Sequence, residues 1–221
     1  MFNLILKDIV VQKKNLKDII LTVIFCMLIF QLLGETCIYV MIPYFLTNVF
    51  ITNSCGYGEK NDVDKMFGSL PVSRIEMVFA KYLSVVIFLV LGIIITSIFT
   101  TIDELSGFTN INRLMNLGDI AIDCIFTAVY SSIYIPIYLC HGYLKSQWIS
   151  RILNYFIFIC LVVIILIFTF VENGTAKNTI IKFVFMTNFQ LFVFTSGLSF
   201  SIIIALISIC ISLKLYINRD L

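Results

Sequence analysis

The sequence predicts an all-α, polytopic membrane protein with six transmembrane helices. Three observations support this fold class. The chain of 221 residues is 60% hydrophobic and only 13% charged, its mean hydropathy is +1.04, and its basic residues fall in clusters between long apolar runs. A water-soluble domain of this length could not bury so much apolar surface. The lipid bilayer is therefore the expected solvent for most of the chain.

Six apolar runs approach the length of about 20 residues that a helix needs to cross the hydrocarbon core. Only Gly34 and Glu35 separate the first two runs, which predict either a tight helical hairpin or a re-entrant pair. No internal repeat or soluble domain interrupts the pattern, so residues 1–221 are expected to form a single transmembrane domain. The six predicted spans are residues 19–33, 36–51, 82–102, 120–140, 152–171 and 191–213.

The Lys and Arg residues predict the orientation of these spans. Four basic clusters fall in alternate connecting segments, and only Arg113, Lys177 and Lys182 fall in the others. The positive-inside rule then places both termini in the cytoplasm, in agreement with an even number of spans. The four clusters are Lys7, Lys13, Lys14 and Lys17; Lys60, Lys65, Arg74 and Lys81; Lys145 and Arg151; and Lys214 and Arg219.

Residues 1–17, before the first span, are predicted to form an interfacial helix that lies flat on the inner leaflet. Apolar side chains share one face of this helix and polar side chains share another. The segment is either a simple membrane anchor or a lever that links the first span to a cytoplasmic partner. The apolar face contains Phe2, Ile5, Leu6, Ile9 and Leu16.

Residues 61–71 are predicted to form a short cytoplasmic helix. Asn61 is placed to cap it, and Asp62 and Asp64 lie in the first turn, where the helix dipole favours negative charge. Apolar residues at i, i+3, i+4 and i+7 give one stripe that needs a partner surface. Lipid headgroups are one partner, and a groove in a soluble protein is the favoured one. The stripe consists of Val63, Met66, Phe67 and Leu70.

The signals on both sides of this short helix predict where its neighbours begin and end. Pro71 ends the helix, and Ser73 with Glu76 forms an S-x-x-E capping box that opens the third span. The preceding residues 55–58, Cys-Gly-Tyr-Gly, predict a flexible connector. Farther along the chain, Gly142 follows His141 and is expected to end the fourth span.

Two stretches resemble short bacterial type-2 ABC transporter permeases. Residues 68–76 (GSLPVSRIE), followed by residues 80–83 (AKYL), are similar to the loop between the second and third spans of that family. Residues 135–145 (IPIYLCHGYLK) are similar to the region after its fourth span. Total length, span number and both predicted cytoplasmic ends also agree.

The resemblance implies the membrane subunit of an ABC exporter in the bacterial plasma membrane. Two permeases would pair around a central path, and each would dock on a separate cytoplasmic ATPase that binds ATP and magnesium. The coupling helix of the family would correspond here to residues 61–71. Its docking residues would be Asp62, Val63, Met66, Phe67 and Leu70, and its break and cap would be Pro71, Ser73 and Glu76.

The resemblance also implies a class of substrate, because relatives of this size often export amphipathic or antimicrobial peptides such as phenol-soluble modulins. Asp123 is the candidate residue for a substrate path. It lies one turn deeper in the fourth predicted span than Asp119, which is expected at a solvated helix end. An ionised group at the depth of Asp123 is costly unless it faces water or a partner.

Several classes of function lack their required residues in this sequence. A net charge of +2 gives no field for binding nucleic acid. The chain has no G-x-x-x-x-G-K-[ST], H-E-x-x-H or G-x-S-x-G sequence, so it is not expected to be an enzyme or to hold its own cofactor or metal. The seven cysteines are scattered and are expected to be small core residues. The remaining alternatives are a membrane immunity protein that binds a peptide toxin and the substrate-binding module of an uptake system.

Overall fold

The computed structural model describes residues 2–30, 35–60, 74–106, 115–172 and 187–217. These residues form α-helices and no strand, which confirms the all-α membrane fold. In chain order the helices are α1 (Phe2–Lys14), α2 (Leu16–Phe30), α3 (Glu35–Lys60), α4 (Arg74–Ser106), α5 (Leu117–His141), α6 (Tyr143–Glu172) and α7 (Thr187–Ile217).

Helices α2 to α7 follow the six predicted apolar runs. Four described segments are long and apolar enough to cross a bilayer, and they lie in α3, α4, α5 and α7. Helix α2 has 15 residues, or about 22 Å of helix, against a hydrocarbon core of about 30 Å. The count of six spans stays a prediction. The four segments are Ile38–Lys60, Ile75–Ile102, Leu117–His141 and Phe194–Tyr216.

One end of the bundle, which we name the α1 end, gathers α1 with the ends of several other helices. Here α1 is hydrogen-bonded to α3 and α4, and Tyr143 at the start of α6 lies against Gly56 of α3. Tyr216 near the end of α7 donates a hydrogen bond to Met77 near the start of α4. The described residues of the four basic clusters all belong to segments that meet at this end. Clusters in alternate connecting segments are expected to share one end when successive helices run in opposite directions.

Helix α3 forms the centre of the bundle. Within its apolar segment 78% of the residues are buried, against 28% in α4 and 17% in α7. The broad exposed faces of α4 and α7 are therefore available to lipid or to another subunit. The largest fully buried side chains include Tyr39, Tyr44, Tyr130, Tyr134, Phe88 and Met41.

Small residues let the helices approach each other closely. A Cβ atom at Gly92 of α4 would lie 3.0 Å from Thr47 Oγ1 and 3.1 Å from the Pro43 carbonyl oxygen of α3. A Cβ atom at Gly197 of α7 would lie 3.3 Å from the Cβ atom of Ala121 in α5. Because lipid tails are as apolar as the side chains of the helices, the hydrophobic effect does not hold helices together in a bilayer. Close packing of this kind is therefore a main source of stability between them.

Hydroxyl groups add hydrogen bonds across the same helix pairs. Ser208 of α7 donates to the Ser132 carbonyl oxygen of α5 at 2.9 Å. The Tyr82 hydroxyl of α4 is hydrogen-bonded to Ser208 and also to Ser212, the second at 2.8 Å. Helix α7 is thereby joined to both α4 and α5.

The prediction of a flexible connector at residues 55–58 is wrong, because these residues are the last turns of α3. The two glycines allow close packing rather than flexibility. A Cβ atom at Gly56 would lie 2.9 Å from the ring of Tyr143, and one at Gly58 would lie 3.2 Å from the Tyr138 hydroxyl.

The predicted helix end at Gly142 is confirmed. Helix α5 ends at His141, and Gly142 has a φ of +79°, a backbone conformation that glycine adopts without strain. The amide of Gly142 donates to the Tyr138 carbonyl oxygen at 2.9 Å. The next helix, α6, begins at Tyr143 directly after this turn.

Helix α1 differs from its predicted pattern. Ile5 is buried and Ile9 is half-buried, as expected, but Leu6 is exposed. The buried face also carries Asp8 and Gln12, because their side chains bond α3 and α4. The placement of residues 1–17 on the inner leaflet stays a prediction.

Candidate functional site

The segment predicted as the coupling helix, residues 61–71, lies outside the described residues, as does Ser73. Asp62, Val63, Met66, Phe67, Leu70 and Pro71 therefore keep the roles predicted for them. The structure does describe both flanks of this segment. Helix α3 ends at Lys60 and α4 begins at Arg74, with Glu76 in its first turn. The cap by Ser73 and Glu76 stays a prediction.

A buried ion pair joins three helices close to this segment. Lys81 Nζ of α4 lies 3.1 Å from Asp8 Oδ2 of α1 and donates at 2.9 Å to Ser54 Oγ of α3. The side chain of Asp8 is only 4% exposed, and that of Lys81 is 17% exposed. A second lysine, Lys7, lies 3.7 Å from Asp8. A buried carboxylate is costly unless it is paired, so this contact fixes α1 against α4.

Further hydrogen bonds tie α1 to α3. Gln12 Nε2 donates to the Phe50 carbonyl oxygen at 2.9 Å. Tyr57 Oη donates at 3.1 Å to Asn15 Oδ1, at the break between α1 and α2. Asp8 and Gln12 are four residues apart and share one face of the helix. One face of α1 thus bonds both helices that flank residues 61–73.

A cavity of about 30 Å³ adjoins the ion pair. This volume is sufficient for a water molecule, which would help to solvate the charged groups. Five helices contribute to its walls, so the ion pair lies where α1, α3, α4, α5 and α7 converge. The lining residues are Leu4, Lys7, Asp8, Gly58, Met77, Ala80, Lys81, Tyr138, Leu139 and Tyr216.

A second junction connects the end of α3 to the start of α6. The Tyr143 amide donates to a carboxylate oxygen of Glu59, where the dipole of α6 favours negative charge. Beside this contact is a cleft of about 510 Å³ that opens to the surface and includes Asn15, Asn53, Tyr57 and Lys60 among its lining residues. The last two turns of α3 therefore contact both the α1–α2 break and the α5–α6 turn.

A layer of hydrogen-bonded polar residues lies within the bundle. Asn154 Oδ1 of α6 accepts from Tyr44 Oη at 2.9 Å and from Asn48 Nδ2 at 2.8 Å, both on α3. Tyr130 of α5 and Ser150 of α6 are hydrogen-bonded at 2.7 Å. These bonds join α3, α5 and α6.

Asp123 is fully buried in α5, at 0% exposure. Within the described part of the chain, neither of its carboxylate oxygens has a hydrogen-bond partner. Asp123 lies about 27 Å of helix from the end of α5 at His141, and it is close enough to Tyr44 and Cys124 to interact with them electrostatically. A buried carboxylate without a partner is unfavourable, which makes Asp123 a candidate functional residue.

Asp119 lies at a helix end as predicted, but the expectation that it is solvated is wrong. It is 6% exposed, and its Oδ2 atom accepts a hydrogen bond of 3.0 Å from the Asn116 amide. This contact belongs to a capping box at the start of α5. Asp119 therefore has a local structural role, in contrast to Asp123.

No grouping of three or more His, Cys, Asp or Glu residues that could hold a metal ion occurs among the residues that the structure describes. The thiols of Cys26, Cys124, Cys140, Cys160 and Cys210 are free. The features that the structure brings together in the described residues are polar contacts between helices.

Sequence reasoning missed the Asp8–Lys81–Ser54 contact and the role of Asn154. Asp8 and Lys81 are 73 residues apart, and each was visible only as one charge in a polar segment. An acidic residue on the otherwise basic N-terminal segment was the one available signal. Asn154 is uncharged, and its partners Tyr44 and Asn48 are 110 and 106 residues away in the sequence.

The long apolar helices and the polar contacts between them define a polytopic helical membrane protein. The family model described as ABC-2 family transporter protein matches residues 3–217. The chain belongs to this family, and it is a membrane subunit of an ABC transporter. No curated protein and no solved structure matches the chain.

Proposed function

We propose that the chain is the permease of an ABC exporter that carries an amphipathic peptide out of a bacterial cell. One observation carries the proposal. The family match extends over residues 3–217 in a chain that contains no P-loop sequence. Because a P-loop is what cradles the phosphates of ATP in such ATPases, the energy must come from a separate ATPase subunit. A second permease completes the transporter.

Residues 61–71 are the proposed docking site for this ATPase. They connect α3 to α4 at the α1 end of the bundle, and the positive-inside rule assigns this end and both termini to the cytoplasm. Met66 and Phe67 are the proposed apolar anchors in a groove of the ATPase. Their substitution is expected to weaken docking without any change to the membrane helices.

In the proposed cycle, ATP binding brings two ATPase subunits together and displaces residues 61–71. The displacement tilts α3 and α4 and opens the central path to the outside, as a rigid-body transition between two packed states. The dense packing of α3 supports this mechanism, because a buried helix transmits a displacement rather than absorbing it.

Asp123 is the proposed recognition site for a positive charge on the peptide. Its carboxylate has no hydrogen-bond partner among the described residues, and a cationic group that enters the opened bundle would supply one. The rings of Phe126 and Tyr130, which both contact the ring of Tyr44, would add cation–π and apolar contacts. Asp123→Asn is expected to reduce transport of a lysine-rich peptide more than that of a neutral peptide of equal length.

The experiment that tests this function is co-purification with a candidate ABC ATPase in nanodiscs, followed by measurement of ATP hydrolysis. The wild-type chain is expected to retain the ATPase, and the Met66→Asp, Phe67→Asp double variant is expected to lose it. Leu117→Asp is the control, because it also replaces an apolar residue with aspartate. Leu117 is exposed and is the first residue of α5, at the opposite end of that helix from the α1 end.

Loss of binding in the double variant alone would support docking through residues 61–71. Equal binding by the wild type and the double variant would refute that docking site. If no ABC ATPase binds the wild type, the exporter proposal fails and the toxin-binding alternative gains support.

A further inference from the structure

We propose that Asp8 and Lys81 are positioning residues that hold α3 and α4 together as one unit on either side of residues 61–73. This proposal rests on the proposed function for its consequence in transport, but its structural content is independent of any partner. It assigns a role to α1 that neither the family match nor the coupling helix requires.

The position of the contact supports the proposal. Ser54 is six residues before the end of α3 at Lys60, and Lys81 is seven residues after the start of α4 at Arg74. Each therefore lies about 10 Å along its helix from the segment that connects the two. We name residues 50–60 of α3 and residues 74–81 of α4 the two stems of this connection. The bond between Lys81 and Ser54 joins the stems at similar distances from the connecting segment.

Helix α1 contacts both stems and so strengthens the connection between them. Asp8 pairs with Lys81 on the α4 stem, and one turn later Gln12 bonds the Phe50 carbonyl oxygen on the α3 stem. A displacement of either stem must therefore move α1 and the other stem, or else break a buried polar contact. Without the ion pair, apolar packing and the single Lys81–Ser54 bond would remain to hold these ends of the helices together when residues 61–73 are pushed.

The burial of the pair explains why it would act as a joint rather than as a surface contact. Exposed ion pairs are screened by water and exchange partners readily. Asp8 is almost completely enclosed, and the adjoining cavity of about 30 Å³ has room for little more than a single water molecule. Lys7 also lies 3.7 Å from Asp8, but both residues belong to α1, so this contact does not itself link α1 to a stem.

The test measures the distance between the two stems in the full-length chain alone, in nanodiscs, by pulsed electron paramagnetic resonance. Spin-labelled amino acids are encoded at Lys60 and Ile75, which are both exposed, so that the native cysteines stay in place. The wild type is expected to give one narrow distance distribution. Asp8→Asn and Lys81→Met are each expected to broaden this distribution at least twofold.

Two further variants distinguish a specific joint from general loss of structure. The exchanged variant, Asp8→Lys with Lys81→Asp, is expected to restore the narrow distribution. Lys13→Met removes an exposed lysine from the same helix and is expected to leave it unchanged. Unchanged distributions in both single variants would overturn the proposal, as would equal broadening in Lys13→Met or no recovery in the exchanged variant.

The consequence for transport is tested in the complex with the ATPase, with a fluorescent lysine–leucine helical peptide as the probe. In the single variants the peptide transported per ATP hydrolysed is expected to fall at least fivefold, while ATP hydrolysis stays within twofold of wild type. If the wild type transports no peptide, the proposed function fails, but the distance measurement still decides the structural proposal. If the wild type and the variants transport equally per ATP, the positioning role is refuted.

Discussion

The substitution Asn154→Ala tests whether the buried polar layer stabilises the bundle. Asn154 Oδ1 accepts hydrogen bonds from Tyr44 and Asn48 of α3, so the substitution removes these two bonds and leaves the Tyr143–Glu59 bond between the same helices in place. Hydrogen bonds between helices in membranes contribute about 0.6 kcal/mol on average and up to about 1.7 kcal/mol each. The free energy of unfolding is therefore expected to fall by about 1 to 3 kcal/mol.

Reversible unfolding in mixed micelles, followed by circular dichroism, measures this loss. Tyr155→Ala is the control, because Tyr155 is the next residue on the same helix and is 69% exposed; its effect is expected to stay within about 0.5 kcal/mol. The double variant Asn154→Ala, Tyr44→Phe should lose less than the sum of the two single variants, since they share one bond. A loss of less than about 0.5 kcal/mol in Asn154→Ala, or full additivity with Tyr44→Phe, would show that these bonds do not stabilise the bundle.

Two other substitutions are predicted to change stability in the same assay. Gly197→Leu should lower the free energy of unfolding by about 1–3 kcal/mol through overpacking against Ala121, whereas Gly118→Ala, where a Cβ atom meets nothing within 4 Å, should have almost no effect; equal losses would contradict the packing argument. Asp123→Leu should raise the free energy of unfolding by about 1–3 kcal/mol, because it removes a buried carboxyl group without a partner; a loss of stability would show that this group is bonded in the bilayer.

The apolar runs and the helix end at Gly142 could be predicted from sequence because they are local. A helix in lipid must be long and apolar, and a glycine after the last turn needs no distant partner to end a helix. The same local logic failed at residues 55–58. Two glycines so close together are typical of a connector, but in this chain the rings of Tyr143 and Tyr138 occupy the space that a side chain would need.

The polar sites divide along the same line. Asp123 could be identified from sequence because a charge within an apolar run is rare and costly. The pairing of Asp8 with Lys81 could not, because it depends on how α1 folds back onto α4. The pairing of Asn48 with Asn154 could not be predicted either, because their bond forms between segments that are distant in the sequence.

The most direct test of the central claim is ATP-driven peptide transport by the reconstituted complex of this chain, a second permease and an ABC ATPase in inside-out vesicles. The fluorescent lysine–leucine peptide is added outside together with ATP, and its accumulation in the lumen is followed over time. An exporter permease is expected to give accumulation that needs ATP hydrolysis and is lost in the Met66→Asp, Phe67→Asp variant. Accumulation that is equal with and without ATP, or unchanged in that variant, would contradict it.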